Sequence, residues 1–259
     1  MQKDSAVIKP LNPKNWPSCV NRTAVMVSSP ADLKDIVKRA GLSNTTPHAF
    51  MNSRLYCNPH SPAHVCIAGP FIGAPYAVML LETLVAWGIE RLIVFGWCGS
   101  LCEDVGVGDV IIPLSAFPGD GTSPHYCINM DKEHNTVPSG ELTSMILSAC
   151  RKMKLSCHQG PIWTMDAVFR ETPEMIGHYR EQGALAVEME TAALFAAGAY
   201  RCIEVAAILA VSDEVHSFSW KTGFGSNLFK QARKKAIELI LAVTGQLDSQ
   251  CAGSKTGKT

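Results

Sequence analysis

Residues 184–213 read ALAVEMETAALFAAGAYRCIEVAAILAVSD, and this stretch decides the fold class. The apolar segment at its start is typical of a buried strand, and Thr191–Tyr200 is an alanine-rich segment that predicts a buried helix. Val205–Val211 is a second apolar run and predicts another strand. A strand, a helix and a strand in succession are typical of an α/β sheet.

The same alternation extends over most of the chain. Helices are predicted to begin at Ser29-Pro30 and Thr172-Pro173, where a capping residue precedes proline. Four glycines, Gly245 the last of them, are placed where helices should stop. No repeat or linker divides the sequence. We predict an irregular leader at 1–20, one domain at 21–247 and a disordered tail at 248–259. The predicted strands are Ala24–Val27, His64–Ala68, Arg91–Phe95, Asp109–Ala116, Pro161–Met165 and Val205–Val211, and the predicted helices are Pro30–Ala40, Pro75–Trp87, Gly140–Lys154, Pro173–Gln182, Thr191–Tyr200 and Ser226–Thr244.

Composition excludes several classes of protein. Hydrophobic residues make up 47% and charged residues 18% of the 259 residues, which suffices for a buried core. Lys and Arg total 23, as do Asp and Glu, so the formal net charge is zero. Proteins that bind nucleic acid or a membrane surface normally carry a basic excess, so neither partner is expected. No apolar run reaches the ~18 residues of a transmembrane helix.

The ten cysteines do not form the pattern of a disulfide framework. Such frameworks belong to short secreted chains, and this sequence shows no secretory signal pattern. Cys98 and Cys102 are four residues apart with no histidine nearby, and His60 and His64 flank Pro62, so no metal site is predicted. Free cysteines are typical of the reducing cytoplasm, which is the compartment we expect.

Three segments at the ends of predicted strands carry groups suited to a ligand site. Phe95–Ser100 has two glycines, which suit either a turn close to a ligand or a plain turn. Val187–Glu190 has two carboxylates between buried segments, where a carboxylate is costly unless it is paired. The dipole of the helix predicted to begin at Thr191 explains a carboxylate at Glu190 better than one at Glu188. Val211–Glu214 places Asp213 at a strand end, as a general acid or as a helix cap.

In their order and spacing these segments resemble the nucleoside phosphorylase superfamily, which includes purine nucleoside phosphorylases and uridine phosphorylases. The resemblance covers roughly residues 22–245, and VEMETAALF at 187–195 is its most specific part. The other matching motifs are FIGAP at 71–75, GDVIIP at 108–113, DGTSPHY at 120–126, WTMDA at 163–167, FRET at 169–172 and VSDE at 211–214. Several of these are closest to uridine-phosphorylase-like proteins. The resemblance implies a single α/β domain with a mixed, twisted central β-sheet flanked by helices.

The resemblance further implies an enzyme that cleaves the N-glycosidic bond of a nucleoside. It implies no metal or organic cofactor, with inorganic phosphate as the possible co-substrate. In the family pattern, Glu190 holds the ribose hydroxyls, Met189 packs under the sugar, and Asp213 gives a proton to a purine leaving group. The aromatic ring that stacks on the base corresponds to Phe169. The remaining residues of the expected substrate site are Glu188, Arg170, Trp97, Cys98, Gly99 and Ser212.

The expected phosphate site departs from the family pattern. The family has Gly-Asp-Pro followed by an arginine, whereas residues 28–32 of this chain are SSPAD. A second phosphate arginine corresponds to Val94, and Trp97 replaces a hydroxyl residue. Ser28 and Arg54 remain as phosphate ligands, the arginine being lent by a neighbouring subunit. Because a phosphate dianion needs several cations or amides, these differences disfavour phosphorolysis.

A hydrolytic branch of the superfamily offers an alternative. The methylthioadenosine/S-adenosylhomocysteine nucleosidases lack the phosphate arginines and carry a glutamate near the start of the first helix that orients water. Asp32 lies close to that place in this sequence. We therefore hypothesise that Asp32 activates water. The alternative is that Asp32 caps the first turn of the helix that begins at Pro30.

The base and the assembly stay open. DGTSPHY is typical of the uridine branch, whereas Asp213 is typical of purine enzymes. The positions that bind uracil hold Thr172 and Glu174, which leaves Arg170 as a donor to a base carbonyl. The resemblance implies a homo-oligomer, either a dimer or a hexamer. Because the superfamily also contains plant storage proteins, a non-catalytic nucleoside-binding relative is the alternative to an enzyme.

Overall fold

The computed structural model describes residues 6–10, 22–58, 65–126 and 135–253. Residues 6–10 contain no helix or strand. The elements in chain order are β1 (Thr23–Val27), α1 (Pro30–Arg39), β2 (His48–Phe50), β3 (Ser53–Tyr56), β4 (Cys66–Gly69), α2 (Ala74–Ala86), β5 (Arg91–Ser100), β6 (Val110–Gly119), α3 (Gly140–Met153), β7 (His158–Met165), α4 (Pro173–Glu181), β8 (Ala186–Glu188), α5 (Thr191–Arg201), β9 (Glu204–Glu214), β10 (Lys221–Thr222) and α6 (Asn227–Gly253). Short 3₁₀ turns lie at Ser123–His125 and Val168–Arg170.

The strands of the described residues form one mixed sheet in the order β10-β9-β6-β7-β8-β5-β1-β4-β3-β2. β9 pairs with β6 on one side and with β5 on the other, so that β5, β9, β6, β7 and β8 close into a ring. β1 is parallel to β4 and β5, whereas β8 is antiparallel to β5. The expected α/β fold, with a mixed sheet flanked by helices, is confirmed.

Helices cover both faces of the sheet, which is why the central strands are apolar throughout. Met26 of β1 packs with Leu81 of α2 and with α5 on one face. The preceding residue, Val25, packs with Ile36 of α1 and Ile240 of α6 on the other face. Successive strand side chains point to opposite faces, so a strand covered on both sides needs apolar residues at every position. All five residues of β1 are buried.

The predicted glycine turn at Phe95–Ser100 is wrong, because β5 continues through this segment alongside β9. The pairing register shifts between Cys98 and Gly99. A Cβ atom added to Gly99 would lie 3.1 Å from a carboxylate oxygen of Asp213. Glycine here therefore serves close approach of the two strands and of the Asp213 side chain.

Gly245 does not end a helix, although the other three glycines chosen from the sequence do lie just past helix ends. α6 continues through Gly245 because Val243 and Leu247 on either side of it are buried. Their burial offsets the roughly 1 kcal/mol that glycine costs a helix interior. Residues 248–253 of the expected tail are helical, and residues 254–259 lie outside the described residues. None of the described helices has the length and apolarity to cross a bilayer.

Candidate functional site

A cleft of about 540 Å³ opens beside the carboxyl ends of β5 and β9, next to β8. Ligands of α/β sheets bind at such strand ends. Eight predicted site residues line it, namely Trp97, Cys98, Gly99, Phe169, Glu188, Met189, Ser212 and Asp213. The lining also includes residues that were not predicted as site residues: Val168, Glu171, Ile176, Val187, Val215, Phe218, Ser219, Trp220 and Phe224.

Five predicted site residues do not line this cleft. Glu190 adjoins it, directly after the lining residues of the same motif. Arg170 and Arg54 are exposed, the first on a 3₁₀ turn and the second on β3. Ser28 is half-buried, and its N–H donates to the carbonyl of Phe95. Asp32 is buried in α1.

Glu188 is fully engaged by its own surroundings. Thr164 Oγ1 donates to one carboxylate oxygen at 2.5 Å, and Thr191 Oγ1 donates to the other at 2.8 Å. The N–H groups of Glu190 and Thr191, at the start of α5, donate to the same carboxylate. Burial raises the pKa of Glu188, and these hydrogen bonds oppose the rise. The carboxylate of Glu188, rather than that of the N-cap residue Glu190, therefore accepts from the free N–H groups at the start of α5.

Glu190 has surroundings of a different kind. It makes no side-chain capping bond to α5, and its Oε1 accepts from the N–H of Gly73 at 2.5 Å. Burial, together with the negative charge of Glu188, raises the pKa of Glu190 to about 8. The carboxyl group of Glu190 therefore interacts with backbone groups, among them the N–H of Gly73 just before α2, and accepts no side-chain hydrogen bond from the described residues.

Asp213 lies near the end of β9 with both carboxylate oxygens engaged. Ser212 Oγ donates to Oδ1 at 2.6 Å, and Trp220 Nε1 donates to Oδ2 at 2.8 Å. Trp220 lies on the segment between β9 and β10, and this segment contains no recognisable sequence motif. The sequence therefore located the carboxylate but missed one of its two donors.

Glu171 is a second acidic group at the same end of the cleft. It follows the 3₁₀ turn Val168–Arg170 and lines the cleft with Asp213. Burial and the negative charge of Asp213 raise the pKa of Glu171 to about 7. No described residue forms a hydrogen bond or an ion pair with its carboxyl group. The only sequence signal for Glu171 is its place two residues after Phe169 in the FRET motif.

Aromatic rings surround the mouth of the cleft. Phe169 is 91% exposed and Trp220 is 61% exposed, and Phe218 and Phe224 are also exposed. Arg180 stacks over the ring of Phe218 at 5.4 Å. Exposed aromatic rings beside polar groups are typical of a site for a flat ligand.

The region expected to bind phosphate holds a closed cluster of side chains. Asp32 is 1% exposed, and Arg233 Nε lies 2.6 Å from its Oδ1. Trp97 Nε1 donates to Oδ2 of Asp32 at 2.7 Å, and the guanidinium of Arg233 lies 5.3 Å from the centre of the Trp97 ring. Burial raises the pKa of Asp32, while Trp97 and Arg233 oppose that rise. Neither oxygen bonds to the first turn of α1, so Asp32 does not cap that helix.

Within the described part of the chain, no group of three or more His, Cys, Asp or Glu side chains is arranged to hold a metal ion. His60 and His64, considered as ligands in the sequence analysis, lie outside that part.

Comparison with known proteins places the chain in one family. Residues 22–247 match the family described as the Phosphorylase superfamily. A guanosine phosphorylase of Halorubrum lacusprofundi is 28% identical over 180 residues, which cover 70% of this chain and 73% of that protein. A DeoD-type purine nucleoside phosphorylase of Colwellia psychrerythraea is 26% identical over 192 residues, covering 72% and 80%.

Two solved structures share the fold. A purine nucleoside phosphorylase from Toxoplasma gondii, in complex with immucillin-H, matches with a TM-score of 0.76 and 17% identity over 89% of this chain and 93% of that chain. A uridine phosphorylase from Vibrio fischeri matches with a TM-score of 0.69 and 20% identity over 87% and 92%. At these identities the structures establish the fold alone. The resemblance inferred from the motifs is confirmed.

Proposed function

The chain belongs to the phosphorylase superfamily, and on that premise we propose that it cleaves the N-glycosidic bond of a nucleoside. The observation that carries this proposal is the convergence in one cleft of Met189, Phe169 and Asp213, with Glu190 directly beside it. These four residues come from three separate motifs of the sequence. A non-catalytic fold would not need an acidic group at each end of the cleft, because buried or half-buried carboxylates are costly.

The sugar is proposed to bind where Met189 lines the cleft, next to Glu190. Met189 supplies an apolar surface on the cleft wall. A carboxylate accepts hydrogen bonds from two neighbouring hydroxyls, which is the pattern that a ribose presents. Such donors would favour the ionised form of Glu190, whose pKa is about 8 without them. Ribose binding and ionisation of Glu190 would therefore support each other.

The base is proposed to bind between the aromatic rings at the mouth and the acidic end of the cleft. Phe169 and Trp220 offer flat apolar faces. Ser212, Asp213 and Glu171 provide the polar groups on the cleft wall. One relative is called a guanosine phosphorylase and another a purine nucleoside phosphorylase, so we propose a purine base ahead of a pyrimidine.

Water is proposed as the acceptor of the ribosyl group. Arg233 reaches the expected phosphate region, where Asp32 is its ion partner. Trp97 covers this pair with an indole ring in place of a hydroxyl group. In this proposal Asp32 excludes phosphate by holding Arg233. Direct activation of water by Asp32 would require the cluster to open, because both of its oxygens are engaged.

Phosphorolysis is the second candidate, and the names of the relatives favour it. If Arg233 were released from Asp32, its guanidinium would be free to bind phosphate. The two candidates differ in their product, which is ribose for hydrolysis and ribose 1-phosphate for phosphorolysis.

The test is release of free base from guanosine, inosine, adenosine, methylthioadenosine and uridine, measured in phosphate-free buffer and again with phosphate. We expect base and free ribose in both buffers at equal rates. A strict requirement for phosphate would replace hydrolysis by phosphorolysis. Nucleoside binding without turnover in either buffer would favour the non-catalytic relative.

The matched variants are Glu190→Gln and Glu181→Gln. Glu190→Gln is expected to lower kcat/KM by about 100-fold, because it removes a charge placed at the reacting sugar. Glu181→Gln changes an exposed residue of α4 outside the cleft and is expected to leave kcat/KM unchanged. Equal activity of the two variants would remove Glu190 from the proposed site. Light scattering of the purified chain would separately test the expected dimer or hexamer.

A further inference from the structure

Two acidic side chains share the proposed base end of the cleft, and among the described residues only one of them has hydrogen-bond partners. Asp213 accepts a hydrogen bond on each carboxylate oxygen, from Ser212 and from Trp220. Glu171 lines the same cleft, and its carboxyl group has no hydrogen-bond or ion-pair partner within the described residues. The two carboxyl groups are close enough for the charge of Asp213 to act on Glu171.

Each carboxylate oxygen of Asp213 already has a donor. A carboxylate accepts hydrogen bonds and donates none, so a donor on each oxygen matches its charged form. A proton on Oδ2 would displace the bond from Trp220, because an indole N–H donates and cannot accept. Gly99 leaves space for this oxygen, since a Cβ atom at that position would lie 3.1 Å from Oδ2.

The surroundings of Glu171 suit the opposite state. Apolar side chains of Val168, Ile176 and Val215 line the same cleft, and the neighbouring charge of Asp213 is negative. Both features favour the neutral carboxyl group, and they raise the pKa of Glu171 to about 7. A group with such a pKa is half-protonated near neutral pH, which suits a general acid.

We propose that the carboxyl group of Glu171 is the proton donor to the departing base, and that Asp213 is a fixed negative charge beside it. This inference rests on the proposed function and changes the donor that the family resemblance implies. In the step, the bond between C1′ and the base nitrogen breaks and its electron pair goes to the base. The proton of Glu171 passes to a ring nitrogen of the base. The oxygen of water forms the new bond to C1′ and its proton passes to solvent, which also reprotonates Glu171; in the second candidate a phosphate oxygen forms that bond.

Other ionisable groups facing this end of the cleft do not compete for the role. Glu188 of β8 is engaged by Thr164 and Thr191. Burial raises the pKa of the Cys98 thiol of β5 well above its ordinary value, so the thiol is neutral and a poor acid near neutral pH. Glu171 is only half-buried, so solvent can return the proton after each turnover.

The experiment compares guanosine with 7-methylguanosine. The base of 7-methylguanosine already carries a positive charge at N7 and leaves without receiving a proton, so a missing proton donor affects guanosine alone. Glu171→Gln keeps the shape of the side chain and cannot donate an acidic proton. We expect Glu171→Gln to lower kcat/KM for guanosine by at least about 100-fold and for 7-methylguanosine by less than about threefold.

Asp213→Asn is expected to slow both substrates by similar factors, because a fixed charge acts on both. The alkaline decrease of kcat/KM for guanosine should begin near pH 7 in the unmodified protein and be absent in Glu171→Gln. Glu181→Gln controls for loss of an exposed carboxylate on the adjoining helix.

The reverse pattern, in which Asp213→Asn spares 7-methylguanosine and Glu171→Gln slows both substrates equally, would overturn the proposal and make Asp213 the donor. Full activity of Glu171→Gln on guanosine would overturn it as well. If the unmodified protein releases base from neither substrate, it is the proposed function itself that fails. Circular dichroism and thermal melting of each variant test whether it is folded under the conditions of the activity measurements.

Discussion

The two ends of the site differ in whether their carboxyl groups have partners. At the expected phosphate end, Asp32 is 1% exposed and is paired with Arg233 and Trp97, so the cluster is neutral and closed. At the base end, Glu171 has no partner within the described residues and lies beside a second negative charge. A closed pair contributes to the fold, whereas an unpaired carboxyl group in a cleft is available to a ligand.

The same contrast separates the two glutamates of the VEME motif. Glu188 accepts bonds from Thr164, Thr191 and the backbone at the start of α5, whereas Glu190 accepts one from Gly73. The two residues are separated by one position in the sequence, and their surroundings differ. Position in a motif therefore does not reveal which carboxylate is structural, because the role depends on the donors around it.

The largest expected effect is on stability at the phosphate end. Arg233→Met removes the ion partner of a buried carboxylate and should lower the free energy of unfolding by about 3–5 kcal/mol. Chemical denaturation measures this difference. Adding Asp32→Asn to Arg233→Met removes the uncompensated charge and should restore a large part of the loss. A loss of only about 1 kcal/mol in the single variant would mean that the pair is no stronger than a surface ion pair.

A smaller change in stability is expected for substitutions in the VEME motif. Its sign differs between Glu188 and Glu190. Glu188→Gln places an NH₂ group against several donors and should destabilise the fold by about 1–3 kcal/mol. Glu190→Gln keeps the acceptor for Gly73 and removes a carboxyl group whose pKa is about 8 in the folded protein, against an ordinary value of 4.5. It should therefore stabilise the protein at neutral pH.

The sign follows from proton binding. Between pH 4.5 and pH 8, the folded protein keeps a proton on Glu190 that the unfolded chain releases, so this group makes stability fall as pH rises. Melting curves of the unmodified protein and Glu190→Gln should coincide near pH 4 and separate towards pH 8, with the variant higher. Separation at low pH only would contradict this assignment. A gain in stability with a loss of activity would mark Glu190 as a functional residue.

The smallest effect is expected at Trp220. Trp220→Phe removes the N–H that donates to Asp213 and keeps an aromatic ring at the mouth. Loss of one hydrogen bond to a charged group should lower kcat by about tenfold with little change in KM. Trp220→Leu, which removes the ring as well, should also raise KM for the base-bearing substrate. If Trp220→Phe raised KM and left kcat intact, the indole would be a binding surface and would not position Asp213.

Much of the site could be predicted because it lies in local motifs. Eight predicted residues line the cleft, among them Phe169, Met189 and Asp213. Glu171 and Trp220 were missed because neither lies in a pattern with its own chemistry. The glycines of β5 were misinterpreted for a related reason. A glycine that allows two strands to approach has the same local sequence as one that makes a turn, and only the partner strand distinguishes them.

The sequence by itself determined the order of apolar strands and helices, and hence the α/β fold, since periodicity and capping act over a few residues. It also determined the family, through motifs such as VEMETAALF. The tertiary structure alone decided which carboxylates are neutralised and which are available. Asp32 meets an arginine 201 positions away and a tryptophan 65 positions away. Such partners are brought together only by packing, and it is the partners that give a buried charge its role.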